Sequence, residues 1–322
     1  MSTAMRDPSP AEAGARGGSA GSAGSAGPAG GAARAVRLIH RGAERHWVGD
    51  GFLTTTVFSY QELGHEISPF LLLDYGGPVA FEATNKRRGV GEHPHRGFET
   101  VTIVYEGQIE HRDSGGGGGT IGPGDVQWMT AGSGVIHEEM HTRDFAAQGG
   151  TMEMAQLWVN LPARFKMTPP RYQSLGAASF PTVGLPQGGG SARIIAGELF
   201  GARGPAQTFT PLQLWDISLA AGHRASLPIP AGHTAALLVV RGQLHFQGAA
   251  EVASPSDLVL FEREGTNLEI EAVQNSRVLV MAGEPIDEPI AGYGPFVMNS
   301  REEIQQAFDD LRAGRFTKPA HA

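Results

Sequence analysis

Short apolar runs, separated by turns rich in Gly, Pro and Asp, make up most of the chain between residues 36 and 166. The runs at 101–105, 126–130 and 154–161 are rich in β-branched, aromatic or aliphatic residues. Similar runs follow at 193–196, 212–219, 235–240, 258–261 and 278–281. This length and spacing are typical of an all-β sandwich or barrel, and no helical periodicity interrupts the pattern.

The two series resemble each other. In each, an apolar run ends at a hairpin glycine, Gly107 in the first and Gly242 in the second. In each, a turn containing an aspartate then leads into another strand, at 123–125 and at 254–257. The pattern predicts two stacked copies of one β module.

One amphipathic helix is predicted near the end of the chain. Ser300 and Glu303 form a capping box, which satisfies free N–H groups at a helix start. The apolar positions that recur on one face are Ile304, Ala307, Phe308 and Leu311, and Gly314 stands where a C-cap belongs. We expect this helix to close over a barrel surface.

The domain limits follow from changes in composition. Residues 1–35 contain Gly/Ala/Ser repeats and are expected to form a disordered tail, with a transit peptide as the weaker alternative. We expect a metal-binding domain at 36–168, a second domain without metal at 169–316 and a short tail at 317–322. Residues 167–190 contain four prolines and are interpreted as a linker.

Composition excludes several classes of protein. The net charge is −8, from 25 basic and 33 acidic residues, which argues against direct nucleic-acid binding. No run of about 18 apolar residues is present to cross a membrane, and we expect a cytoplasmic protein. Because the chain has no cysteine, any metal must bind to nitrogen and oxygen ligands, which suit Fe, Mn, Ni, Cu or Zn.

Two pairs of residues carry the spacing of a metal site. His93 and His95 are two positions apart, as are His137 and Glu139. Side chains at i and i+2 of a strand point to the same face. Two such pairs on facing strands can place three imidazoles and one carboxylate around a single divalent ion, with two coordination positions left open.

Spacing alone leaves the fourth ligand open. Glu99 lies four residues after His95, on the same face if one strand continues through both, and it competes with Glu139. Glu138 should face the other way and be solvated. His111 and His141 lack a same-face partner and are expected in the outer shell or at the surface.

Two segments resemble known sequence motifs. GEHPHRGFETVTIVYEG (91–107) and GDVQWMTAGSGVIHEEM (124–140) are similar to the two cupin motifs. HPHRGFET, the second segment and PFVMNSREEIQQAFDDLRAGRF (295–316) are similar to the pirin family. This resemblance implies a bicupin, with two antiparallel jelly-roll-like β-barrels face to face and one metal in the first. It also implies that the ligands are His93, His95, His137 and Glu139, with iron as the usual metal.

The resemblance to pirins implies a quercetin 2,3-dioxygenase-like enzyme that opens a flavonol ring with O2. Glu139 is then the candidate catalytic group that accepts the substrate proton. Arg96 is a candidate for substrate contact or an exposed side chain. Either Gln127 or Trp128 should line the barrel, with core packing favoured for Trp128.

The rival function is a non-catalytic, iron-binding redox sensor or co-regulator that works through protein contacts. Another cupin reaction, such as isomerisation of a small molecule, is a third possibility. The sequence does not fix the physiological substrate, the native metal or the oligomeric state.

Overall fold

The computed structural model describes residues 31–186 and 188–317. The strands of its first half are β1 (Val36–His40), β2 (His46–Val48), β3 (Phe52–Ser59), β4 (Phe70–Phe81), β5 (Gly89–His95), β6 (Phe98–Glu106), β7 (Ile109–Asp113), β8 (Gly118–Ile121), β9 (Val126–Thr130), β10 (Val135–His141), β11 (Gly150–Asn160) and β12 (Arg171–Leu175).

The strands of the second half are β13 (Thr182–Gly184), β14 (Gly190–Ala196), β15 (Glu198–Leu199), β16 (Ala202–Arg203), β17 (Leu212–Leu219), β18 (Arg224–Pro228), β19 (Thr234–Arg241), β20 (Leu244–His245), β21 (Leu258–Phe261), β22 (Asn267–Ala272), β23 (Ser276–Gly283), β24 (Ala291–Tyr293) and β25 (Phe296–Met298). The helices are α1 (Tyr60–Leu63), α2 (Arg143–Gln148) and α3 (Arg301–Arg312), with 3₁₀ turns at Gly64–Glu66, Ala163–Phe165 and Ala177–Ser179.

These strands build two barrels, each from a large sheet and a small sheet. The first barrel joins the sheet β12-β9-β6-β11-β4-β3-β2 to the sheet β5-β10-β7-β8. The second joins β1-β21-β19-β23-β17-β14-β13 to β18-β22-β20. Neighbouring strands in the barrel sheets pair antiparallel. The predicted all-β bicupin with a short C-terminal helix is confirmed.

The internal repeat is visible in the hydrogen bonds of the two corresponding turns. Asp125 Oδ2 accepts from the backbone N–H of Gly122, and Asp257 Oδ2 accepts from that of Ser254. Gly124 and Ser256 both have positive φ, +86° and +72°. A serine therefore adopts, in the second copy, the left-handed conformation that glycine provides in the first. The two halves follow one structural plan.

The largest apolar core lies between the two seven-stranded sheets. It combines Val101 and Trp128 of the first barrel with Leu214 and Leu238 of the second, all fully buried. The second barrel has its own apolar core, which includes Ile229. Counted back from the hairpin glycine of each half, Ile229 corresponds to Pro94 of the segment His93-Pro94-His95. The first barrel is apolar only in part, around residues such as Phe52, which leaves room for polar chemistry at its other end.

Two strands, one at each predicted domain boundary, pair in the other barrel, which departs from the predicted domain limits. Strand β1 pairs with β21 in the second sheet, and β12 pairs with β9 in the first. The segment interpreted as a linker at 167–190 thus holds β12 and β13. Most of the predicted tail, residues 1–30, lies outside the described residues, as does 318–322 of the second tail.

The prediction of a tail through residue 35 is wrong for its last part. Ala33 forms a bridge to Asn267. The side chain of Arg34 is buried and donates to the carbonyls of His233 and Pro230, at 2.7 and 2.9 Å. The arginine finds carbonyl acceptors on the second barrel, a tertiary contact that local composition does not encode.

The predicted C-terminal helix is confirmed together with its capping box. Ser300 Oγ accepts from the N–H of Glu303, whose carboxylate accepts from the N–H of Ser300. Ile304 and Ala307 are its buried residues. Two helices of 4 and 6 residues were not predicted, since they are too short for a periodic signal. Among the described residues, no helix is long and apolar enough to cross a membrane.

Candidate metal centre

Antiparallel pairing of β5 and β10 brings the two predicted pairs of residues together. His137 lies opposite His93, and Val135 lies opposite His95. The register then shifts, so that Glu139 lies opposite Val90. Such a shift re-aims side chains, and it separates the position of Glu139 from those of the histidines.

Three histidines form a compact cluster. Their candidate ligand atoms, from His93, His95 and His137, all lie within 4.8 Å of one another. The ring centroids are 4.8 Å apart for His93 and His95, 4.3 Å for His93 and His137, and 5.0 Å for His95 and His137. Within the described part of the chain this is the group of histidine and acidic side chains with metal-binding spacing.

The buried nitrogens of this cluster fit a metal ion. Nδ1 of His95 and both ring nitrogens of His137 are buried without a hydrogen-bond partner. Burial lowers the pKa of both imidazoles well below the usual value, and the neighbouring histidines lower it further. Neutral imidazoles with free lone pairs are the form that binds transition metals.

The backbone carbonyl of Gly91 orients the ring of His93. Its Nδ1 lies 2.9 Å from the carbonyl oxygen of Gly91. Because a carbonyl can only accept, Nδ1 is the protonated nitrogen and Nε2 keeps its lone pair. A backbone carbonyl that fixes the tautomer of a histidine in this way is a common feature of metal sites.

Glu139 lies outside the compact cluster. Its carboxylate is buried and accepts from Nε2 of Gln156 at 3.0 and 3.1 Å, and Oγ1 of Thr102 lies 3.4 Å away. Gln156 was not recognised from the sequence. An amide within the apolar run at 154–161 was the available signal, because a buried polar group in a strand needs a partner.

The expectation that Glu99 shares a face with His95 is wrong. Gly97, at φ +90°, interrupts the strand between β5 and β6. Glu99 thereby joins the face of Val101, which packs in the core between the two sheets. Its carboxylate accepts from Oγ1 of Thr130 at 2.7 Å, and burial raises its pKa to about 7.

The neighbouring residues have separate environments. Glu138 is partly exposed and lies 3.7 Å from a guanidinium nitrogen of Arg87. His141 is buried and its Nε2 lies 2.8 Å from the Gly51 carbonyl. His111 lies opposite Glu139 in the pairing of β10 and β7, is buried, and stacks on Tyr172 at 5.4 Å. His111 and His141 are therefore buried rather than at the surface.

The expectation of an exposed Arg96 is wrong, and substrate contact stays a prediction. It is 3% exposed and its guanidinium binds the carboxylate of Asp310 in α3 at 2.9 Å. Trp128 packs in the core between the sheets, as favoured from the sequence. Gln127 lies opposite Thr102, on the face that turns toward the barrel interior, with its amide nitrogen unpartnered.

Two cavities lie in the first barrel, and the three histidines of the cluster are not among the residues that line them. One, of about 20 Å³, is lined by Glu139 and Gln156 together with Asp74. The other, of about 400 Å³, opens at the barrel mouth and is lined by Asp113, Ser114, Gly115, Gly117, Gly134, Val135, Pro170, Tyr172 and Thr317. Asp113 and Val135 are the strand neighbours of His137 and His95, so the larger cavity borders the strands that carry the cluster.

Two antiparallel barrels with a three-histidine cluster in the first define a bicupin with the donor set of a metal protein. The family model described as "Pirin" matches residues 51–159, and that described as "Pirin C-terminal cupin domain" matches residues 214–317. The chain belongs to the pirin family.

Two named relatives are consistent with membership of the pirin family. A Pseudomonas aeruginosa protein described as "Putative quercetin 2,3-dioxygenase PA2418" is 56% identical over 280 residues, 87% of this chain and 97% of that protein. The crystal structure described as quercetin 2,3-dioxygenase from Acinetobacter baumannii is 47% identical, with a TM-score of 0.86 over 88% of this chain and 99% of that one.

A more distant structure carries a metal in its description. It is the bacterial pirin YhhW of Escherichia coli in complex with nickel(II), 23% identical, with a TM-score of 0.58 over 77% of this chain and 98% of that one. At this identity the likeness concerns the fold alone.

Proposed function

We propose that the protein is a metal-dependent dioxygenase of the quercetin 2,3-dioxygenase type, which opens a flavonol ring with O2. The observation that carries the proposal is the trio of His93, His95 and His137, whose candidate ligand atoms lie within 4.8 Å of one another. The ring nitrogens Nδ1 of His95 and Nδ1 and Nε2 of His137 are buried and have no hydrogen-bond partner among the described residues. Two of the similar proteins are described as quercetin 2,3-dioxygenases, which supports the reaction type.

The ligand set that we propose is His93, His95, His137 and Glu139, with Fe2+ as the ion and Mn, Ni, Cu or Zn as alternatives. Three neutral imidazoles and one carboxylate suit any of these metals. The amide of Gln156 contacts both carboxylate oxygens of Glu139, and one of these oxygens would bind the ion while the other keeps the amide hydrogen bond. A bound divalent ion supplies Lewis acidity, which lowers the pKa of a substrate hydroxyl.

The larger cavity is the site that we propose for the aromatic substrate. Its volume, about 400 Å³, falls within the range that ligand pockets usually have, about 300–1,000 Å³. The cavity beside Glu139, about 20 Å³, holds one water at most. A three-ring flavonol must therefore approach from the barrel mouth, where Tyr172 offers an aromatic surface.

In this proposal Glu139 accepts the proton of the substrate hydroxyl. Its carboxylate is buried, and the hydrogen bonds from Gln156 and Thr102 hold it in one orientation. Those two side chains can also stabilise the group in either protonation state, since an amide and a hydroxyl each offer a donor and an acceptor. The surrounding Phe98 and Trp158, stacked at 4.3 Å, exclude water from the side of His95.

Oxygen uptake in the presence of quercetin, coupled to detection of carbon monoxide, tests the reaction. We expect uptake by the metal-replete protein and its loss in His93→Ala. Since Glu138 is a partly exposed neighbour that faces away from the cluster, Glu138→Gln serves as the matched control and should keep its activity. A fully loaded protein without uptake would contradict the enzymatic proposal.

The second candidate is a metal-binding co-regulator that acts through protein contacts. The small size of the cavity beside Glu139 favours it, because little substrate can reach the carboxylate from inside the barrel. The net charge of −8 then points to a protein partner rather than DNA. The cytoplasmic location expected from the sequence remains a prediction.

A further inference from the structure

Residues 295–316 lie directly on the two loops next to the histidine-bearing strands of the first barrel. Arg96 and Gly97 follow His95, and residues 131–134 precede the strand of His137. The backbone N–H of Arg96 donates to the carbonyl of Pro295 at 3.4 Å, and that of Val297 donates to the carbonyl of Arg96 at 3.1 Å. We name residues 295–316 the C-terminal clasp.

The side chain of Arg96 connects three parts of the structure. Nε donates to the carbonyl of Ser133 at 2.6 Å, Nη1 donates to Asp310 of the clasp at 2.9 Å, and the guanidinium lies 4.4 Å from the ring of Phe316. Ser133 belongs to the loop before His137. One buried guanidinium thus connects the clasp to the two loops that flank the histidine-bearing strands β5 and β10.

A second cation supports the same junction. Nζ of Lys166 is buried and donates to the carbonyls of Gly97 and Val297, at 2.8 and 2.9 Å. A Cβ on Gly97 would lie 2.0 Å from the carbonyl oxygen of Val297. The contact between the loop and the clasp is therefore too close for any side chain at this position.

We propose that Arg96 is a positioning residue, through which the C-terminal clasp sets the spacing of His95 and His137 for the metal. The inference rests on the metal site proposed above. In this role Arg96 acts through the loops beside the two histidines and not by contact with the ion.

The physical reason is the cost of an unpaired buried charge. If Asp310 loses its charge, the guanidinium of Arg96 remains 3% exposed without its ion-pair partner. An unpaired buried charge is strongly destabilising, and this favours a different arrangement of the residues around the arginine. The neighbouring loops, and with them the histidines at positions 95 and 137, are the elements free to move. Outer-shell changes of this kind commonly lower metal affinity by about 10–100-fold.

Titration of the full-length, metal-free protein with Ni2+ tests the proposal. The informative variants are Asp310→Asn, which keeps the shape, and Arg96→Lys, which keeps the charge but loses the fork of donors. Asp309→Asn is the control, because Asp309 pairs with Arg312 on the exposed side of α3. We expect about tenfold weaker binding in the first two variants, a shifted absorption spectrum of bound Ni2+, and no change in the control.

Thermal unfolding of each metal-free variant separates positioning from stability. Lower stability of Asp310→Asn with unchanged Ni2+ affinity would overturn the proposal, as would equal losses of affinity in Asp309→Asn. If Asp310→Asn does not fold, Arg96→Lys decides. Wild-type protein that binds Ni2+ tightly but shows no oxygen uptake would refute the dioxygenase function and leave the role of Arg96 standing.

Discussion

Glu139 and Gln156 are joined by contacts of 3.0 and 3.1 Å between the amide nitrogen and the two carboxylate oxygens. The two residues lie on different sheets of the first barrel, Glu139 on β10 and Gln156 on β11. The amide thus satisfies a buried carboxylate. It also fixes the carboxylate outside the compact cluster of three histidines.

A matched pair of substitutions distinguishes the two glutamates that the sequence left in competition. Glu139→Gln should weaken Ni2+ binding by more than about tenfold, since even outer-shell partners commonly contribute that much. Glu99→Gln should leave affinity unchanged, because Glu99 faces the core between the sheets. Calorimetric titration of both variants measures this, and equal affinity in Glu139→Gln and wild type would exclude Glu139 as a ligand.

Glu99 should instead affect how the free energy of unfolding depends on pH. Burial raises its pKa from 4.5 to about 7, so the folded state binds more protons than the unfolded state between these values. Its contribution to stability therefore falls as pH rises from about 4.5 to 7. Glu99→Gln should be more stable than wild type by on the order of 1–3 kcal/mol at pH 8.

A measurement at lower pH is the control for the comparison of Glu99→Gln with wild type. The advantage of Glu99→Gln should become small near pH 4.5, where the wild-type carboxyl is protonated in the folded state and half protonated in the unfolded state. Urea unfolding at pH 5 and pH 8 measures the difference. A variant that is less stable than wild type at pH 8 would show that the hydrogen bond from Thr130 outweighs the burial of the charge.

Gly97 should be intolerant of any side chain. Its φ of +90° and the 2.0 Å approach of a Cβ to the carbonyl of Val297 both oppose alanine. Gly97→Ala should lower the free energy of unfolding by more than about 2 kcal/mol. Gly91→Ala, where a Cβ meets nothing within 4 Å, should change it by less than about 0.5 kcal/mol. Equal effects in urea unfolding would contradict the close contact with the clasp.

The barrel mouth should control substrate affinity without affecting the metal. Thr317 is exposed and lines the cavity of about 400 Å³. Thr317→Trp should fill part of it and raise KM for quercetin by about tenfold, with Ni2+ binding unchanged, since one obstructed contact of about 1.4 kcal/mol has that effect. Thr120→Trp, at an exposed position outside the lining, should keep the wild-type KM. Unchanged kinetics in both would place the substrate elsewhere.

Local pattern was sufficient to predict several of the strands and the C-terminal helix. Apolar runs bounded by turn residues located β9, β17 and β21, and Ser300 with Glu303 located the start of α3. These signals lie within a few residues of the structure they determine. The i, i+2 spacing also brought His93, His95 and His137 together correctly.

Contacts between distant segments could not be predicted from local sequence pattern. Nothing near Arg96 indicates an ion pair with a residue 214 positions later, and nothing near residue 36 indicates that β1 joins the second sheet. The face of Glu99 depended on a single break at Gly97, because in a strand one irregular residue exchanges the two faces. The Gln156 contact likewise depends on the pairing of sheets and not on sequence spacing.

The most direct test of this account is a crystal structure of the protein loaded with Ni2+ or Fe2+. We predict one ion in the first barrel, bound by nitrogens of His93, His95 and His137 and by one carboxylate oxygen of Glu139 at about 2.0–2.2 Å, with the amide of Gln156 on the other oxygen. An ion bound at another place, or a Glu139 that makes no bond to an ion held by the three histidines, would contradict the proposed four-ligand centre.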